Sequence, residues 1–135
     1  MPRLAPLAAL MALALAAFVG CGAGDRERDA AAAAGRFQAA IARDDGRGAC
    51  TELSAETAMA LERQEQAPCR EAILGIDLPG GAALRRATVY LVSASVEVRG
   101  DAVTFLNEGP AGWKVSAAGC TPTEPGRPYY CELGD

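Results

Sequence analysis

The chain has 135 residues, with 13 basic and 17 acidic side chains, five cysteines and no histidine. A formal charge of −4 argues against holding nucleic acid or anionic lipid head groups. Without histidine, the commonest general base and metal ligand is missing.

In chain order, Arg3 precedes an apolar run over 4–19, which ends in Phe18, Val19, Gly20 and Cys21. A basic start, a short apolar stretch and a small residue before a cysteine predict a secretory signal. The run over 4–20 sits at the lower limit of about 17–25 residues needed to span a bilayer, and Pro6 interrupts it. Its end resembles the bacterial lipobox: Val19, Gly20 and Cys21 fit the pattern, while Phe18 stands where Leu is usual. That resemblance implies a diacylglycerol on the Cys21 thiol and a cut between Gly20 and Cys21. Each buried methylene contributes about 0.8 kcal/mol, so one acyl chain binds marginally and two anchor durably. The competing readings are an uncleaved membrane helix over 4–20, or Cys21 as merely the first residue after ordinary secretion.

The expected organisation is a lipoprotein signal peptide over 1–20, a lipidated tether over 21–28 and a single α+β domain over 29–135. Loss of Arg3 moves the formal charge from −4 to −5. What remains is long enough for one hydrophobic core and too short for two. The tether reading rests on Gly22, Ala23, Gly24, Asp25, Arg26, Glu27 and Arg28, which are small or charged and present no apolar face.

With Cys21 carrying lipid, Cys50, Cys69, Cys120 and Cys131 remain, an even number suited to a disulfide-permissive compartment. Four cysteines allow three pairings. Local spacing favours Cys50 with Cys69, tying helices together, and Cys120 with Cys131, closing the tail. A zinc site is disfavoured, because no CxxC spacing occurs and histidine is absent.

Ordered structure is expected near Asp29, whose carboxylate suits a helix cap. Ala30 and the alanines after it favour helix, and Ala33, Phe37, Ala40 and Ile41 recur on one face. Gly46 and Gly48 then stop this helix. A second helical stretch over 49–53 leads to Ser54, a cap for a further helix in which Thr57 and Leu61 share a face with Leu53, while Glu56, Glu62, Arg63 and Glu65 point outwards. Pro68 opens another helix that turns Cys69, Ala72 and Ile73 inward, and Pro79, Gly80 and Gly81 end the helical half.

Beyond Gly81 the period changes from helical to alternating. Strands are expected over 87–91, 92–98, 102–106 and 113–117. Val92, Ala94, Val96 and Val98 should share one face, with Ser93, Ser95 and Glu97 on the other. Arg99, Gly100 and Asp101 make a tight connection, and Gly109, Pro110, Ala111 and Gly112 a looser one. Trp113, Val115 and Ala117 should share a face.

Helices followed by an antiparallel meander, with Gly112, Trp113, Lys114 and Val115 opening the last strand, resemble an NTF2-like domain over roughly 29–118. The chain also resembles a group of small actinobacterial lipoproteins of unassigned function. That likeness rests on the helix bearing Phe37, Ala40 and Ile41, the stretch from Ala49 to Ser54, Pro68 with Cys69, and Ala117 to Cys120 before a Pro, Tyr and Cys tail. The NTF2-like resemblance implies a curved sheet and helices forming a cone that can hold a small apolar ligand, with a few enzymes among its members. Those enzymes use an acid or His base with Tyr or Asp donors.

No catalytic residue, cofactor site or metal site is assigned. Glu97 reads as a solvated strand residue, and Tyr90 as core or as a hydroxyl at a cone mouth. Ser54, Ser93, Ser95 and Ser116 lack a nucleophile elbow and a histidine. Gly80 and Gly81 lack the Lys and Ser or Thr of a P-loop. The Arg99-Gly100-Asp101 tripeptide reads as a turn rather than an adhesion signal, and Arg85 with Arg86 as solvated surface rather than an anion site. The expected function is therefore a lipid-anchored module at the outer face of the cell membrane, binding an envelope protein or a small apolar ligand without catalysis. The alternative is an NTF2-like enzyme, which a cone filled by Phe37, Leu61, Phe105 and Trp113 would exclude.

Overall fold

The computed structural model describes residues 22–100 and 102–134. Helices α1 (Ala23–Ala42), α2 (Gly46–Glu52), α3 (Ala55–Glu65) and α4 (Cys69–Ala72), the last running into a 3₁₀ turn at Ile73–Gly75, precede five strands. These are β1 (Leu84–Tyr90), β2 (Ser93–Val98), β3 (Val103–Gly109), β4 (Gly112–Thr121) and β5 (Tyr130–Leu133). They form one antiparallel sheet in chain order. The fold class is α+β, as the change of period predicted, and two disulfides, Cys50–Cys69 and Cys120–Cys131, staple it.

The first helix begins at Ala23 rather than near Asp29, so most of the segment expected as a tether is helical. Tertiary contacts account for the difference. The Arg26 guanidinium donates to the Leu91 carbonyl and the Glu108 carboxylate, and it lies 5.5 Å from the centre of the Trp113 ring. Arg28 pairs with Asp25 one turn earlier, and Asp25 also complements the positive end of the helix dipole. Further along, Ala33, Phe37 and Ala40 of the face that the helical period predicted are buried in the core together with Ala30 and Ala34, and Ile41 is partly buried against it.

Gly46 and Gly48 lie in the first turn of α2 instead of merely ending α1. The side chain of Asp45 caps this helix by accepting from the Gly48 N–H at 2.9 Å. Gly46 is there because α2 and α4 approach closely: a Cβ at this position would overlap the Arg70 carbonyl oxygen. The same approach brings Cys50 to Cys69. Ser54 caps α3 as expected, its Oγ accepting from the Thr57 N–H at 3.1 Å. Thr57, Leu61 and Leu53 are buried, while Glu56, Glu62, Arg63 and Glu65 are exposed. Cys69, Ala72 and Ile73 also turn inward.

The sheet departs from the expected alternation in several places. Val92, expected on the inner face of β2, lies in a two-residue turn closed by the Tyr90–Ser93 pair and is 62% exposed. Ala117 faces away from Trp113 and Val115, because Leu106 pairs with Val115 and Phe105 with Ala117, so that Ser116 is an extra residue that reverses the alternation. A second shift follows at Gly119, whose φ of 63° lies in the left-handed region. As a result Val103, Phe105, Ala117 and Cys120 form a small cluster on the sheet face away from the helices. The fifth strand was not anticipated: its four residues pair Cys131 directly opposite Cys120 and send Leu133 into the main core.

Between helices and sheet, the core is filled by Phe37, Leu61, Ile73, Leu106 and Trp113 with their small neighbours. Phe105, the fourth residue whose filling of the cone would exclude the enzyme alternative, packs on the other face, edge-on to Tyr129 with ring centres 5.3 Å apart.

Candidate functional site

A concavity of about 720 Å³ opens between α3 and the edge strand β5. Helical spacing builds one wall, since Glu56, Ala60 and Gln64 recur every four residues along α3. Tyr130 and Glu132 of β5 form part of the opposite wall, with Asp77 after the 3₁₀ turn closing one side. Below them lies a fixed floor. The Thr57 hydroxyl donates to the Ser116 carbonyl at 3.0 Å and lies 2.8 Å from the Ser54 hydroxyl, binding α3 to the bulge in β4.

The charged residues lining this cleft are Glu56, Asp77 and Glu132, all acidic. Because β5 is the last strand of the sheet, its outer edge presents backbone groups to the same opening. Carboxylates beside a free strand edge suit a cationic or extended ligand better than an apolar one.

The residues singled out from sequence fall elsewhere. Glu97 is exposed on the face opposite Ala94, Val96 and Val98, and stands across from Arg86 in the strand register. With Arg85, Val98 and Tyr129 it lines a smaller recess of about 180 Å³. Tyr90 neither fills the core nor enters a cone; it is 64% exposed at the end of β1. Arg99 and Gly100 form the expected turn, while Asp101 lies outside the described residues. Ser54 and Ser116 serve as a cap and as part of a bulge, and the Ser93 hydroxyl donates to Asn107 at 3.1 Å. Among the described residues, no group of three His, Cys, Asp or Glu side chains is placed to hold a metal ion. Cys21 and the apolar run before it lie outside the described residues.

One further ion pair orders the helical layer. Arg36 of α1 contacts Glu52 of α2 through two hydrogen bonds of 2.9 and 3.2 Å, and this bonding holds the guanidinium above its ordinary pKa against a smaller opposing effect of burial. Its role is structural, since it joins α1 to the end of α2. The cleft was missed from sequence because half of it is β5, and only the Cys120 and Cys131 spacing hinted that the tail returns to the sheet.

The chain matches no known protein family, no curated protein and no solved structure.

Proposed function

We propose that this chain is an exported lipoprotein, cut before Cys21 and held by lipid at the outer face of the cell membrane, whose folded domain is a non-enzymatic binding module of the envelope. The observation that carries this reading is how the cysteines are used. Two disulfides take Cys50, Cys69, Cys120 and Cys131, as suits an oxidising compartment, and leave Cys21 as the one cysteine outside them, directly behind Val19 and Gly20. The NTF2-like likeness remains part of the proposal through element order, helices before a meander. The filled space between helices and sheet favours binding at the surface over an apolar ligand in a cone. The cleft beside β5 is the surface that fits, with a cationic segment of an envelope protein as its ligand.

Intact mass of the native protein tests the address. Loss of the first twenty residues, a diacylglycerol and acyl increment, and four missing hydrogens are expected; retention of Met1 sinks the reading. For the binding role, a partner recovered with the tagged protein should also be recovered after Cys21→Ser release and be lost in Glu132→Lys. Recovery that depends on the lipid alone would refute recognition by the domain.

A further inference from the structure

The β1–β2 turn breaks a local rule that its neighbour obeys. Tyr90, Leu91 and Val92 are consecutive large apolar residues, 64%, 87% and 62% exposed, at the tip of a two-residue hairpin. Leu91 holds a φ of 54°, where such turns favour Gly, Asn or Asp. Neither burial nor turn chemistry explains leucine at this position, and a local rule broken without structural gain points to function.

Its place in the fold supplies the occupant. Arg26 of α1 donates to the Leu91 carbonyl, and the Glu108 N–H donates to the Val92 carbonyl at 2.7 Å, so the tip is tied to the beginning of α1. Arg26 lies five residues after Cys21. The described start of α1, to which the sequence bearing the lipobox cysteine is joined, therefore lies beside the exposed apolar tip. The neighbouring β3–β4 turn, Pro110 and Ala111 between Gly109 and Gly112, adds an uncharged surface at the same end of the sheet.

We infer that Tyr90, Leu91 and Val92 form a second membrane contact, dipping into the head-group region of the bilayer beside the N-terminal attachment and fixing the tilt of the domain. The inference rests on the proposed membrane anchoring. Leu91 and Val92 supply apolar area, and Tyr90 is suited to the interface between apolar and wet surroundings. The charged side chains at this end include the Arg26–Glu108 and Arg28–Asp25 pairs, Glu27, and Lys114, whose ammonium donates to the Thr51 carbonyl, and together they supply no cationic excess. Contact should therefore occur equally on neutral and anionic lipid.

The test uses the native protein carrying Leu91→Trp, with the emission of the unsubstituted protein and its Trp113 subtracted, reconstituted in phosphatidylcholine vesicles that contain lipids brominated near the carbonyl region. A tip at the head-group boundary should lose about half the emission of the new indole, since interfacial apolar faces sit roughly 5–10 Å into that boundary. Val92→Trp provides the same reading if Leu91→Trp does not fold. Tyr129→Trp, beside Val98 at the opposite end of β2, should stay unquenched. Quenching at 91 or 92 with acyl groups present in the mass supports both the contact and the lipoprotein reading. Acyl groups with no quenching at 91 or 92, or with equal quenching at 129, overturn the contact and leave the anchor standing. Quenching on a chain that retains Met1 supports the contact while overturning lipidation. Dilution-sensitive self-association with an unquenched indole would assign the tip to a second copy and overturn the contact.

Discussion

The two ends of the sheet are secured by different means. At one end, β4 and β5 are joined covalently by Cys120–Cys131, a directly paired couple, and the strained backbone there is carried by Gly119. At the other, the Arg26 guanidinium ties the hairpin tips to α1, and the left-handed position is carried by Leu91. At the tail end residue types agree with local geometry, so stability accounts for them. At the hairpin end they conflict, so stability alone does not.

The contrast can be broken or sharpened by substitution. Replacing Cys120 and Cys131 together by Ala should have the largest effect, about 3 kcal/mol from lost loop constraint, read by denaturant unfolding of the oxidised native protein. A loss well under this would mean that β5 is held mainly by Leu133. Gly119→Ala comes next, at roughly 1–3 kcal/mol. It combines a left-handed φ with a Cβ only 3.0 Å from Leu78 and 3.1 Å from Glu132, a cost of the overpacking kind, measured by the same titration.

At the hairpin end, Arg26→Ala should cost only about 1 kcal/mol, because its ion pair and ring contact are partly solvated. It should also raise hydrogen exchange selectively in the first two turns of α1, an outcome that a merely global loss would not produce. The smallest expected effect has the opposite sign. Leu91→Asn should stabilise the fold by up to about 1 kcal/mol, since Asn tolerates the left-handed region better than Leu. A destabilised Leu91→Asn would show that the leucine packs on something the hairpin needs, and would remove the conflict between the two ends.

Much of the helical layer was legible in the sequence because its signals are local. The face bearing Ala33, Phe37 and Ala40, the Ser54 cap, and the inward turn of Cys69, Ala72 and Ile73 depend on residues within a few turns of one another. The start of α1 was not legible. Residues 23–28 look like a tether until Arg26 meets Glu108, a residue 82 positions away. Alternation identified Trp113 with Val115 but failed at Ala117, because a bulge is a property of two paired strands and leaves no mark on one of them. The cleft was hidden for a similar reason: Glu56, Asp77 and Glu132 are distant in sequence and share a surface only once β5 returns to the sheet.

By itself, then, the sequence determined the class of fold, the faces of its main helices and a cysteine inventory that pairs evenly once Cys21 is set aside. Periodicity, capping and composition act over short stretches of chain, so they can be read in one dimension. Only the tertiary structure decided where α1 begins, how β4 reverses its faces, that β5 exists, and that Tyr90, Leu91 and Val92 emerge beside the start of α1. Each of these depends on pairing between segments far apart in the chain, whose free energy appears only when both partners are in place.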